Sequence, residues 1–184
     1  SKNPNSAEAR WLLGKAYLDM NFGAGAEKEL NKARQLGVSE EQFIPLLAKA
    51  YIQQQKYTDV LELGNVSSLS SGAAAEFLAA RGLAFLGQNK KQQAAQALDA
   101  ALKKNPDSLY MLVAEARLNS IAHDYETAHR HIKRALEIDP NYVPALSFLG
   151  DLSNLESKPE AAIKAYSRAI SKRANTDREK IIDQ

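Results

Sequence analysis

The sequence predicts an all-α solenoid built from antiparallel helix pairs. Three observations carry this expectation. A self-similarity of 34 residues runs along the chain without a gap. Small residues recur at fixed places in every copy. The residues that start and stop helices fall at matching points of the cycle.

The register is set by a small residue three places before an aromatic: Gly14 with Tyr17, Ala48 with Tyr51, Gly82 with Phe85. Ala116 and Gly150 continue the series at the same 34-residue step. A second small column follows at Ala26, Val60, Ala94, Ala128 and Ala162, and a third at Ala33, Ser67, Ala101, Ala135 and Ala169. Between these two stands a larger residue, Leu30, Gly64, Leu98, Ile132 or Tyr166. Helices approach closely only where side chains are small, and a larger neighbour fills the hole between them. The expected repeats are 7–40, 41–74, 75–108, 109–142 and 143–176, with 177–184 opening a sixth first helix.

Punctuation agrees with that division. Asn5 with Glu8, and Ser39 with Gln42, have the spacing of a capping box. Pro106 and Pro140 close repeats three and four, and Asp107 and Asn141 just after them are suitable N-caps. Pro159 suits the first turn of the last second helix. Repeat two departs most. Gly64 leaves the inter-helix hole without a side chain, and GNVSSLSSG from Gly64 to Gly72 has loop composition. A short second helix is expected there, with repeat three opening near Ser71; the segment is either a tolerated irregularity or a hinge. Asn119 and Ser153 replace the first-helix aromatic in repeats four and five, and Arg81 and Glu115 replace an apolar residue before the small one.

The L-G-x-x-Y…A…A…P pattern, degenerate in one copy but repeated five times, resembles the tetratricopeptide-repeat (TPR) family over nearly the whole chain. The resemblance implies a right-handed superhelix whose first helices line a concave groove that takes a peptide or a partner's helix. The stretches SAEARWLLGKAYLDM, AGAEKELNKARQLGV, IPLLAKAYIQQQKY and KPEAAIKAYSRAI are similar, more narrowly, to the bacterial PEP-CTERM/exosortase-associated TPR-repeat lipoproteins. That likeness implies a periplasmic or cell-envelope protein linked to exopolysaccharide production and protein sorting. The chain begins inside a motif and ends inside a helix, so it reads as a piece of something longer.

In the family's register, the groove candidates are Trp11, Lys15, Leu18, Lys49, Ile52, Leu83, Leu86, Tyr110, Val113 and Arg117. They give a mixed surface, apolar with basic heads at Lys15, Lys49 and Arg117, suited to an amphipathic or acidic peptide. Trp11 is the only tryptophan, a residue type enriched at binding hot spots and equally at home in end-cap packing. Trp11 and Lys15 stand where the family's carboxylate clamp has Lys and Asn, so binding of Hsp70 or Hsp90 tails is not expected.

Composition narrows the alternatives. The 24 basic and 22 acidic residues leave a net charge of +2, which gives no case for nucleic acid. There is no cysteine, hence no thiolate nucleophile and no cysteine metal site. No apolar run has the length of a membrane span. His129 and His131, two apart on a helix, point to different faces and lack the spacing of a metal pair. No phosphate loop, dinucleotide fingerprint or nucleophile elbow occurs. A non-catalytic protein-interaction scaffold without cofactor is therefore expected. The second reading is a structural segment of a longer array that self-associates through exposed ends.

Overall fold

The computed structural model describes residues 6–182, with side chains through residue 174. Among the described residues every regular element is an α-helix. The described residues up to Pro106 form one compact unit and those from Asp107 a second. The first unit holds α1 (Ala7–Asp19), α2 (Gly23–Gln35), α3 (Glu40–Gln53), α4 (Tyr57–Glu62), α5 (Ser71–Gly87) and α6 (Lys91–Lys104). The second holds α7 (Leu109–Ile121), α8 (Tyr125–Ile138), α9 (Val143–Leu155) and α10 (Pro159–Ile182).

Helices pair in chain order: α1 on α2, α3 on α4, α5 on α6, α7 on α8 and α9 on α10. The cause lies in the small columns. A Cβ placed on Gly14 would stand 2.7 Å from Leu30 Cγ, and one on Gly82 would stand 2.6 Å from Leu98 Cγ. Gly150 meets the Tyr166 ring in the same way. The missing side chain on the first helix is thus the socket for the large side chain on the second. Leu30 and Leu98 are buried in these sockets, flanked by buried Ala26, Ala33, Ala94 and Ala101; Ile132, at the same repeat position, is also buried, between buried Ala128 and Ala135.

The turn inside each pair has one geometry. Asn21, Gln55, Asn89, His123 and Ser157 all have φ between 57° and 61°. They are spaced by the repeat. Each sits just past the C-cap of a first helix, in the left-handed conformation of a Schellman turn. The next residue's N–H reaches back into the helix: Phe22 to the Tyr17 carbonyl at 2.8 Å, Lys56 to Tyr51 at 2.9 Å, Lys90 to Phe85 at 2.8 Å, Asp124 to Asn119 at 2.9 Å, Lys158 to Ser153 at 2.8 Å. Carbonyls that the helix end would leave unpaired are thereby satisfied.

Helix starts are capped by serine more than the sequence suggests. Ser6 Oγ accepts from Ala9 N at 3.1 Å, so it caps α1; Asn5 lies outside the described residues. Ser108, not Asp107, caps α7 by accepting from Met111 N. Asp107 instead accepts from Arg134 at 2.9 Å. Tyr142, not Asn141, is the N-cap residue of α9, and it makes no side-chain cap bond. Asn141 N–H donates to Asp139 Oδ1 at 2.9 Å, a turn that prepares the helix start. Ser39 stands at the N-cap of α3 but bonds the Gln42 side chain at 3.2 Å rather than backbone. Pro159 is the first residue of α10.

In the second pair α4 is six residues long, and α5 opens at Ser71, as the composition of residues 64–72 leads one to expect. At the other end, α10 runs unbroken to Ile182, so residues 177–182 continue that helix instead of starting another after a turn. No glycine or proline interrupts it, whereas Gly37, at φ 94°, follows the end of α2.

Candidate functional site

The first helices of the first unit stack side by side, α3 packing on both α1 and α5. Seven of the ten groove candidates lie on these helices: Trp11, Lys15 and Leu18 on α1, Lys49 and Ile52 on α3, Leu83 and Leu86 on α5. Leu18, Ile52 and Leu86 occupy one repeat position, and each is half-buried. The result is an apolar ladder seated in the surface yet accessible from it. Tyr110, Val113 and Arg117 lie on α7 in the second unit. Tyr110 is half-buried and Arg117 exposed, but Val113 is buried and belongs to the core.

The basic heads are not bare charges. Lys15 Nζ lies over the Trp11 ring, 5.1 Å from its centre. Arg117 covers the ring of Phe148 on α9 at 5.1 Å. Lys49 Nζ reaches Glu76 on α5 at 2.8 Å. Trp11 serves two functions at once: its Nε1–H donates to the Gln42 carbonyl at 3.1 Å, tying α1 to α3, while its ring stays half-exposed under Lys15. A cation held over an aromatic face keeps its charge available to a ligand at little cost in order.

Behind this face lie ionic ties that the repeat pattern does not announce. Glu29 is buried on α2, where Arg10 of α1 donates to it at 2.6 Å and Lys32 lies 3.5 Å away. Burial opposes its ionisation, but the bond and charge of Arg10, helped by Lys32, outweigh burial and hold the carboxyl below its usual range. Glu27 bonds Lys56 at 2.7 Å and Gln54 at 2.8 Å across the junction of pairs one and two. Burial again pushes upward, and the Lys56 and Gln54 bonds bring the Glu27 pKa down. A net charge near zero conceals these pairs; only the recurrence of Glu27 and His129 at one repeat position hints at a junction role.

In the second unit His129 Nε2 and Glu156 Oε2 lie 2.7 Å apart at the equivalent junction. The hydrogen bond with His129 lowers the Glu156 pKa. Burial lowers that of His131, with help from the neighbouring Arg130 charge. Ile132, Leu136 and Leu149 floor a trough of about 740 Å³ between α8 and α9, rimmed by Glu126, His129, Lys133 and Glu156. Among the described residues no group of three or more His, Asp or Glu is placed to hold a metal, and no helix is long and apolar enough to cross a membrane.

Stacked helix pairs of this kind, with a mixed apolar and cationic face along the first helices, define the class of helical-repeat interaction proteins. A family model for the tetratricopeptide repeat matches residues 79–120 and 113–178, together more than half of the chain. The chain belongs to the tetratricopeptide-repeat family, whose fold is that of protein–protein interaction scaffolds and implies protein partners. Among solved structures, the fold is similar to TTC0263, a thermophilic TPR protein of Thermus thermophilus, with a TM-score of 0.71 and 14% identity over 91% of each chain. It is also similar to pilF of Pseudomonas aeruginosa, with a TM-score of 0.54 and 17% identity over 89% of this chain and 74% of that one. MamA aligns with a TM-score of 0.52 and 18% identity over 90% of this chain and 97% of that one. No curated protein sequence matches the chain.

Proposed function

We propose that this protein is a non-catalytic scaffold that holds a peptide or helix of a partner against its first helices, as the family's concave groove does. The observation that carries this reading is the ladder of Leu18, Ile52 and Leu86, half-buried at one position of three successive first helices. Lys15 on Trp11, with Lys49 on the neighbouring helix, supplies cationic contacts beside it. An amphipathic ligand with apolar anchors and acidic flanks matches both features. Arg117 and Tyr110 lie on α7 of the second unit and are a candidate contact of that unit by itself. The likeness of four stretches of the sequence to PEP-CTERM/exosortase-associated TPR lipoproteins supports a setting in a bacterial envelope system for exopolysaccharide production and protein sorting.

The test is affinity capture from bacterial envelope and cytosolic extracts in parallel. The wild type runs beside a Trp11→Ala, Lys49→Ala, Arg117→Ala variant and a control, Lys91→Ala with Gln96→Ala on the exposed side of α6. Circular dichroism verifies that all three fold. A partner enriched from the envelope, retained by the control and lost from the triple variant, supports the reading. Equal retention by all three sinks the groove, and a partner drawn only from cytosol sinks the envelope setting.

A further inference from the structure

The repeat runs without a gap, so the junctions between helix pairs can be compared position by position. At the α2–α3 junction two contacts form: Glu27 accepts from Gln54 at 2.8 Å, and the Arg34 guanidinium lies over the Phe43 ring at 5.2 Å. Phe43 is buried, and its ring fills the space beneath Arg34. Three repeats on, the α8–α9 junction keeps the first contact as His129 with Glu156, 2.7 Å apart. The second contact is lost. Leu136 stands at the repeat position of Arg34, and Ala145 at that of Phe43. Ala145 is fully buried, and its methyl group cannot fill the space that a ring fills. The trough of about 740 Å³ between α8 and α9 opens here, with Leu136 and Leu149 in its lining. It lies wholly in the second unit, and none of the ten first-helix candidates lines it.

The charges on its rim are unevenly answered. Glu156 meets His129 at 2.7 Å and Lys158 at 3.1 Å, and Glu137 meets Arg134 at 3.7 Å. Of the rim cations, Arg130 donates to the neutral Thr127 hydroxyl at 2.6 Å, and Lys133 comes no closer than 4.0 Å to Glu137. Glu126 is the one rim acid that pairs with no cation among the described residues, against these two loosely held cations. Arg130 and Lys133 are three residues apart on α8, so both can close on one group above the apolar floor. We propose that the trough binds a small aromatic acid, its rings taking the place of the absent phenylalanine beside Leu136 and Leu149, its carboxylate or sulfonate held by Arg130 and Lys133. The aromatic body follows from the ring that fills the α2–α3 junction, and the acid from a guanidinium and an ammonium converging on one place. A cleft of this size, with an aliphatic floor and few polar groups at its rim, suits a small molecule.

The test titrates the full chain with anilinonaphthalene sulfonate and, beside it, with N-phenylnaphthylamine, the same ring system without the sulfonate. Fluorescence gives the affinity and calorimetry the number of sites. The expected wild-type result is one saturable site that binds the sulfonate at least about tenfold more tightly than the uncharged amine. Arg130→Gln with Lys133→Gln, both at exposed positions, removes that difference and leaves the amine unchanged. Leu149→Glu weakens both probes by at least about tenfold. Circular dichroism melts establish that the variants fold, and the exposed double variant decides the matter even where Leu149→Glu does not. Equal affinity for sulfonate and amine overturns the proposal, as does sulfonate binding that neither variant lowers, or no saturable binding at all. Sedimentation equilibrium without probe tests the other occupant: a wild-type dimer that Leu149→Glu dissociates would mean that a second copy covers the trough, and would overturn the proposal too.

Discussion

Helices α4 and α6 fill the same place in consecutive pairs of the first unit, yet one has six residues and the other fourteen. In α6, Leu98 is fully buried in the socket at Gly82, and Ala94 and Ala101 let the helices close around it. In the second pair the equivalent residue is Gly64, with φ at 157° and only Ile44 Cδ1, at 3.5 Å, near where a Cβ would stand. Deprived of its anchoring side chain, the segment leaves the helix: Ser67 N–H donates locally to Asn65 Oδ1 at 2.9 Å, and Ser68 Oγ donates to Glu40 at the start of α3 at 2.9 Å. Support comes instead from the following pair, where the Tyr57 ring occupies the space above Gly87. The difference teaches that one large residue per pair, more than helix propensity, decides whether the second helix persists.

The largest effect should come from Leu98→Ala. It empties a closed socket and should cost about 2–5 kcal/mol in denaturant unfolding. A loss below about 1 kcal/mol would break the comparison, because the socket would then have relaxed around the gap. Gly64→Ala sharpens it by setting two forces against each other. Were residue 64 helical, alanine would gain about 1 kcal/mol. At the observed φ a side chain is strained, so we expect a loss of about 1 kcal/mol or more, read from chemical denaturation.

A pH profile probes the second helix of pair one, which is tied ionically as well as by a socket. The Glu29 pKa is depressed in the fold, so its contribution is complete above the unfolded carboxyl value, about 4.3, and lost as pH falls through the folded value. Glu29→Gln should therefore be less stable than wild type near neutrality, with the gap closing on acidification. A gap independent of pH would show that Arg10 contributes through packing alone. The smallest effect is expected at the Lys49–Glu76 pair between α3 and α5, which is part-exposed. A double-mutant cycle there should give a coupling below about 1 kcal/mol.

The pairing of helices was legible because it depends on side-chain volume, which a sequence states directly. Gly14 with Leu30 and Gly82 with Leu98 could be matched from the columns alone. The short α4 was legible for the complementary reason, a glycine in the large-residue column followed by serines. Caps were less so: Asp107 and Ser108 are both good caps, and only the path of the chain selects Ser108. The candidate face was legible as a set of positions but not as contacts. Lys49 and Glu76 are 27 residues apart, and no local rule brings them within 2.8 Å. Val113 looked available by register, yet packing buries it.

The Schellman turns make the tips of the pairs interchangeable. Five different settings, filled by Asn, Gln, Asn, His and Ser, adopt one left-handed conformation that only glycine enters without a steric penalty. The backbone, not the residue, writes the shape of each tip, and the tips store almost no information. They are the positions where the chain can absorb change most cheaply. A glycine there would relieve strain without altering a side-chain contact in the core, and a foreign loop could be spliced in with the helix pair on either side still reading the same instructions.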